Sequence, residues 1–159
     1  MIRILLTLSI LITSIGTNAI VDLVKVDKSE RRMYLMEGNK VLKEYRVRFG
    51  ANPIGHKTEY GDEKTPEGRY KLDFIKEDSS FYRAMHISYP NQADKKQAAA
   101  RGVLVGGDIM IHGQKNGWGW ASLIIQLFNW TDGCIAIKNF QMDEFIKLVP
   151  VGTTIQIDS

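Results

Sequence analysis

Apolar and polar residues alternate along much of the chain, and this alternation predicts a mainly β protein. Short alternating or wholly apolar runs occur at residues 20–27, 70–75, 85–89, 108–112 and 153–157. Two further runs, residues 33–36 and 41–47, flank a turn at residues 37–40 that contains Gly38 and Asn39, which tolerate positive φ. This arrangement predicts a β-hairpin.

Three segments carry a helical pattern instead. Residues 91–101 are rich in Ala and Lys, with Asn91 suited to cap the start and Gly102 to end the helix. Residues 120–128 are apolar and predict one further helix. A last helix is predicted to be capped by Asn139, and its apolar face consists of Met142, Phe145, Ile146 and Val149.

The N-terminal residues 1–19 have the composition of an export signal. Arg3 gives a positive start, an apolar run covers residues 4–15, and small residues end at Ala19, which predicts cleavage there. A retained membrane anchor is the alternative, although a spanning helix needs about 20 apolar residues. The remaining residues 20–159 form one domain, for which we expect a periplasmic or wall-facing location without stable membrane insertion.

The charge distribution limits the class of partner. The formal net charge is +3, and acidic and basic residues are interspersed without a block of like charge. This pattern argues against nucleic acid as a partner and is compatible with an anionic wall polymer.

The chain contains one cysteine, Cys134. Exported proteins that use cysteine for stability need pairs, so a single cysteine is either an inert buried side chain or a thiol used in chemistry. A thiol attacks as the thiolate, and an imidazole within hydrogen-bond reach removes its proton. His112 ends an apolar run and is followed by Gly113, while Gly133 precedes the cysteine and frees backbone N–H groups to face an oxyanion.

Four ordered landmarks resemble the signature of the L,D-transpeptidase catalytic domain, the YkuD-type family of bacterial cell-wall enzymes. That signature is His-Gly, a spacer, then Ser/Thr-His-Gly-Cys-apolar-Arg and a nearby Asn. Here His112 and Gly113 are followed by Thr-Asp-Gly-Cys-Ile at residues 131–135, and Asn139 stands at the last position. Upstream, Thr-Pro-Glu-Gly at residues 65–68 resembles the family's Thr-Pro-x-Gly.

The resemblance implies a mainly β catalytic domain of mixed sheets with two or three short helices, which uses no metal or organic cofactor. The family forms an acyl-enzyme with a peptidoglycan stem peptide at meso-diaminopimelate and passes it to an amine or water. Carried over by position, Cys134 is the nucleophile and His112 the general base, oriented by the backbone carbonyl of Gly113. Backbone N–H groups of Gly133 and Cys134 are expected to bind the oxyanion. The residues expected to contact the substrate are Trp130, Thr131 and Asp132.

Two positions depart from the family pattern: Asp132 stands where the family has a second His, and Ala136 where it has Arg. The sequence at residues 130–136 resembles a subgroup that includes an enterobacterial enzyme releasing a wall-bound lipoprotein. An ionised Asp beside a thiolate raises the thiol pKa, which is unfavourable for a nucleophile. Its presence suggests a compensating role, and we expect Asp132 to bind the side-chain ammonium of diaminopimelate. The alternative is an Asx turn before glycine. Transfer, hydrolysis and a lipoprotein partner all stay open.

Two other classes of function remain open from the residues alone. One is a non-catalytic peptidoglycan-binding module with a degenerate site, against which the intact Cys–His pair argues. The other is a zinc site, although the sequence lacks the short ligand spacing of structural zinc and the His-Glu-x-x-His of zinc proteases. The four residues available to such a site are His56, His86, His112 and Cys134.

The spacer before the cysteine is rich in aromatic residues, with Trp118 and Trp120 near its start and Trp130 near its end. They either form a platform for substrate or pack the spacer over the core, and packing is the favoured prediction.

Overall fold

The computed structural model describes residues 20–159, so the predicted export signal lies outside the described residues. Its strands are β1 (Leu23–Asp27), β2 (Arg32–Glu37), β3 (Lys40–Arg46), β4 (Gly68–Ser79), β5 (Tyr82–Ile87), β6 (Met110–His112), β7 (Ile135–Ala136) and β8 (Thr154–Asp158). The helices are α1 (Gln92–Arg101), α2 (Ser122–Ile125) and α3 (Asn139–Leu148), with a 3₁₀ turn at Gly119–Ala121. Within residues 20–159, no helix is long and apolar enough to cross a membrane.

The strands form one mixed sheet in the order β3-β2-β1-β8-β4-β5-β6-β7. The pairs β1–β8 and β6–β7 are parallel, and the other neighbours are antiparallel. The prediction of a mainly β fold with mixed pairing and two or three short helices is therefore confirmed.

The chain after β3 joins the two edges of this sheet. Arg48 pairs with Ala136 of β7, and Gly50 pairs with Thr131, although β3 and β7 lie at opposite ends of the strand order. The segment that carries Cys134 is therefore held against residues 47–50 on one side and β6 on the other.

The core is built from alternate strand positions and one face of α3. Val24 and Val26 of β1 are fully buried, because successive side chains of a strand point to opposite faces. Met142 and Phe145 of α3 are also fully buried, as the periodicity predicted. Burying a side chain of this size contributes about 1.5–3 kcal/mol relative to leaving it exposed.

Local signals in the sequence placed the hairpin and the first helix correctly. Gly38 adopts φ +56° in the turn between β2 and β3. The side chain of Asn91 accepts hydrogen bonds from two N–H groups of the first turn of α1, and Gly102 ends that helix at φ +68°.

Three local predictions were wrong. Residues 120–128 do not form one helix. The α-helix ends at Ile125, and the N–H groups of Leu127 and Phe128 bond carbonyls three residues earlier in the chain, as in a turn. Asn139 is the first residue of α3 rather than its cap, since its side chain is used elsewhere. Trp118 and Trp120 do not pack on the core: they lie near each other, with their ring centres 6.4 Å apart, and are 52% and 80% exposed.

Candidate active site

Cys134 and His112 face one cavity of about 280 Å³ at the sheet edge formed by β6 and β7. Parallel pairing of Ile111 with Ile135 places His112 at the end of β6, and Cys134 immediately before β7. The sequence separation of 22 residues is thereby reduced to one strand spacing. The lining consists of Phe81, His112, Lys115, Trp130, Thr131, Asp132 and Cys134.

The imidazole of His112 is fixed in one tautomer. Its Nδ1 lies 2.6 Å from the carbonyl oxygen of Gly113, and a carbonyl only accepts, so Nδ1 carries the proton and Nε2 is left with a lone pair. Phe81 and Trp130 pack around the ring, with centroid distances of 4.6 and 5.6 Å. Burial lowers the pKa of His112 to about 4, so the ring is a neutral base at neutral pH.

Gly113 is a glycine because there is no room for a larger residue. A Cβ there would lie 2.7 Å from Oδ1 of Asn139 and 2.9 Å from Cβ of Tyr82. Oδ1 of Asn139 accepts a hydrogen bond of 2.8 Å from the N–H of Gln114. Asn139 therefore holds the backbone that orients His112, which explains why it does not cap its own helix.

The thiol of Cys134 is partly buried beside backbone groups. Sγ accepts from the N–H of Met110 at 3.4 Å and contacts the carbonyl oxygen of Asp108 at 3.6 Å; among residues 20–159, its hydrogen-bond partners do not include the imidazole. Burial raises the pKa of the thiol, the Met110 N–H opposes this rise, and the charge of Asp132 adds to it. The resting pair is therefore a neutral thiol and a neutral imidazole.

The turn before the cysteine is held by two threonines. Thr131 Oγ1 donates to the carbonyl of Cys134 at 2.7 Å and accepts the N–H of Gly133 at 3.3 Å. Thr65, from the upstream Thr-Pro-Glu-Gly motif, donates to the carbonyl of Gly133 at 2.8 Å. Gly133 adopts φ +117°, and a Cβ there would lie 2.5 Å from the carbonyl oxygen of Lys64. The position thus requires glycine.

The rim of the cavity combines expected and unexpected residues. Asp132 is exposed at its mouth, and Trp130 forms part of its wall. Phe81 and Lys115 also line it, and no motif in the sequence marked them. Phe81 comes from the turn between β4 and β5, and only pairing of β5 with β6 brings it to His112.

The residues of the zinc alternative do not converge. Nδ1 of His56 accepts the N–H of Glu67, and His86 lies 2.7 Å from Asp73. Throughout the described part of the chain, no group of three or more His, Cys, Asp or Glu side chains is arranged to hold a metal ion.

Ala136, which replaces the Arg of the family pattern, has an arginine beside it. Ala136 pairs with His112 on one side and with Arg48 on the other. Paired residues on neighbouring strands project from the same face of a sheet, so His112 and Arg48 flank Ala136 in one row. Arg48 lines a separate cavity, so it does not restore positive charge to the cavity that Cys134 and His112 share.

Comparison with known proteins identifies the family of this chain. The model of the YkuD family, the L,D-transpeptidase catalytic domain, matches residues 22–157. YafK of Escherichia coli strain K12, whose L,D-transpeptidase assignment is itself provisional, is 28% identical over 132 residues, covering 79% of this chain and 46% of YafK.

Solved structures show the same fold. Pgp2, a helical cell shape determining protein from Campylobacter jejuni, superposes with a TM-score of 0.67 at 27% identity, covering 87% of this chain and 48% of Pgp2. Bd1075 of Bdellovibrio bacteriovorus has the same fold at a TM-score of 0.58 and 23% identity, over 90% of this chain and 50% of Bd1075. The chain spans about half the length of these relatives. Because the family model matches residues 22–157, the chain belongs to the YkuD family of L,D-transpeptidase catalytic domains.

Proposed function

We propose that this chain is a cell-wall cysteine enzyme that forms an acyl-enzyme with a peptidoglycan stem peptide at meso-diaminopimelate. The observation that carries the proposal is the shared cavity of Cys134 and His112, with Nδ1 of the imidazole held by the carbonyl of Gly113. A neutral imidazole that lines the same cavity as a thiol is the arrangement that nucleophilic catalysis requires.

The proton moves during the attack rather than before it. Because both groups are neutral at rest, Nε2 of His112 takes the thiol proton as Sγ bonds to the scissile carbonyl carbon. The imidazolium then gives that proton to the departing amine, and the C–N bond breaks. Water or a second amine attacks the thioester, His112 again accepting its proton, and the thiol is regenerated.

The backbone around the nucleophile supplies the oxyanion donors in this proposal. We assign the N–H of Cys134 as the first donor. The N–H of Gly133 is the second, although at rest it forms a long bond of 3.3 Å to Thr131 Oγ1 and must exchange that partner for the oxyanion. Thr131 therefore acts mainly by fixing the turn.

The cavity rim fits the chemistry of the proposed substrate. Asp132 places a carboxylate at the mouth, where it would bind the side-chain ammonium of diaminopimelate. Trp130 offers an aromatic wall for the peptide stem. Position 136 is Ala rather than Arg, and the cationic side chain among those that line this cavity is Lys115. Transfer to an amine, hydrolysis, and release of a wall-linked lipoprotein are all reactions of the same acyl-enzyme, in a periplasmic or wall-facing location.

The direct test is capture of the acyl-enzyme. Incubation with diaminopimelate-containing muropeptides should add the acyl mass to the intact protein, and Cys134→Ser should abolish both the adduct and turnover while keeping the fold. His112→Ala should lower the rate by ~10²- to 10⁴-fold, because no base remains. Turnover by Cys134→Ser would end the proposal, and binding without any adduct would favour a non-catalytic wall-binding module.

A further inference from the structure

A second cavity lies beside the catalytic one and shares none of its lining residues. It measures about 460 Å³ and opens between the β2–β3 hairpin, α2 and the start of α3. The polar residues of its lining include Arg46, Arg48, Gln126, Lys138 and Gln141.

Arg48 is a buried cation without a counterion in the described structure. It is 8% exposed, and its Nη1 donates to the carbonyl of Val47 at 2.7 Å. Among residues 20–159, its Nε is buried without a hydrogen-bond partner and no carboxylate lies within ion-pair distance of the guanidinium. A buried charge is costly unless it is paired, so this guanidinium is suited to accept an anion.

Gln126 provides a second, independent observation in the same cavity. It is also 8% exposed, and neither its Nε2 nor its Oε1 has a hydrogen-bond partner within the described chain. A side-chain amide offers two donors and an acceptor, which matches the N–H and C=O groups of a peptide unit.

The charged side chains that line the cavity are mostly cationic. Arg46 and Lys138 add two cations that form no ion pair within residues 20–159, whereas Glu44 is paired with Arg32. A guanidinium binds a carboxylate through two parallel N–H···O bonds, which gives both affinity and orientation.

The position of the cavity relates it to the catalytic site. Arg48 and His112 flank Ala136 on adjacent strands, and strands lie about 4.8 Å apart, so their backbones are about 10 Å apart.

We propose that this cavity binds a carboxylate of the cell-wall peptide at a position away from the bond that Cys134 attacks. Arg48 and Arg46 hold the carboxylate, and Gln126 bonds the neighbouring peptide group. The inference rests on the proposed function and extends it, because it makes a remote anionic group part of substrate selection.

The test compares two synthetic stem peptides that differ only in this group, as carboxylate or carboxamide, together with a short donor that lacks it. Arg48→Gln and Gln126→Leu should each raise KM by ~10-fold for the carboxylate peptide, with kcat nearly unchanged. Arg48→Gln should leave KM for the carboxamide peptide unchanged, whereas Gln126→Leu should raise KM for both peptides, because both contain the peptide group that Gln126 bonds. If Arg48→Gln does not fold, Arg46→Gln tests the same site, because Arg46 is exposed and its replacement should leave the fold intact. Arg69→Gln is the control, since it removes an exposed arginine elsewhere on the surface.

The outcomes separate this inference from the proposed function. No turnover of any donor, the short one included, would overturn the function itself. Turnover in which Arg48→Gln changes KM equally for the carboxylate and the carboxamide peptide would overturn only the carboxylate site. Leu123 and Leu127 are exposed at the rim of this cavity, as a lipid-binding surface would require. Cosedimentation with phosphatidylglycerol vesicles therefore tests whether the cavity binds a lipid phosphate instead. Vesicle binding that depends on Arg48 would overturn the peptide assignment in favour of a lipid phosphate.

Discussion

The hydroxyl of Thr65 donates a 2.8 Å hydrogen bond to the carbonyl of Gly133, across 68 residues of sequence. Thr65 is fully buried and belongs to the upstream Thr-Pro-Glu-Gly motif, while Gly133 precedes the proposed nucleophile. The motif therefore acts on the turn that presents Cys134, rather than on the substrate.

Thr65→Val keeps the shape of this side chain and removes the hydrogen bond. We expect a loss of about 1 kcal/mol in the free energy of unfolding, since a buried carbonyl loses its donor. We expect kcat/KM to fall by ~10- to 100-fold, because the turn no longer fixes the thiol. Thr153→Val is the matched control, since Thr153 donates a 2.7 Å bond to the carbonyl of Pro150 away from the site. Equal effects on kcat/KM in both variants would contradict a specific role for Thr65.

The buried imidazole of His112 should make both activity and stability sensitive to acid in a defined range. Burial lowers its pKa from 6.5 to about 4. As the pH falls from 6.5 towards 4, the unfolded chain binds a proton at this residue and the folded chain does not, so stability present above pH 6.5 is lost. Urea unfolding across this range should show a weaker acid dependence in His112→Gln than in wild type. His86→Gln changes a histidine outside the cavity and is the control for the loss of a histidine side chain.

The same lowered pKa predicts the acid limb of catalysis. His112 stays unprotonated, and therefore able to act as a base, well below the range in which an ordinary histidine is charged. The acid limb of kcat/KM should lie near the pKa of about 4. A limb centred near the ordinary histidine pKa of about 6.5 would show that the imidazole is not the buried neutral base described here.

Asp132→Asn should have opposite effects on the free thiol and on catalysis. The charge of Asp132 contributes to the raised pKa of Cys134, so its removal should speed alkylation by iodoacetamide. Loss of the proposed ammonium contact should lower kcat/KM on a diaminopimelate peptide by ~10-fold, equivalent to about 1.4 kcal/mol. Asp108→Asn is the control, because Asp108 also raises the thiol pKa but does not line the cavity. Unchanged kinetics in Asp132→Asn would leave this residue a part of the turn only.

The N-terminal prediction is tested by mass. Cleavage after Ala19 predicts a mature protein that begins at Ile20. Intact-protein mass spectrometry of the exported protein should give that start, whereas a membrane-bound form that retains Met1 would support the anchor.

The sequence by itself determined the features that depend on neighbouring residues. The hairpin around Gly38 and the capped helix α1 were predicted because turn and cap hydrogen bonds join residues only a few positions apart. Cys134 and His112 were predicted as a pair from the single cysteine, the glycine beside each residue and the resemblance of both segments to a family signature.

Only the tertiary structure decided which distant residues lie together, because these contacts depend on pairing between strands far apart in the sequence. No local pattern relates Phe81 to His112, Thr65 to Gly133, or Arg48 to Ala136, and each pair is brought together by the sheet. The same reason explains the error at Asn139, whose side chain bonds a distant backbone group in place of its own helix. The neutral state of Cys134 and His112 also comes from burial, which a sequence does not display.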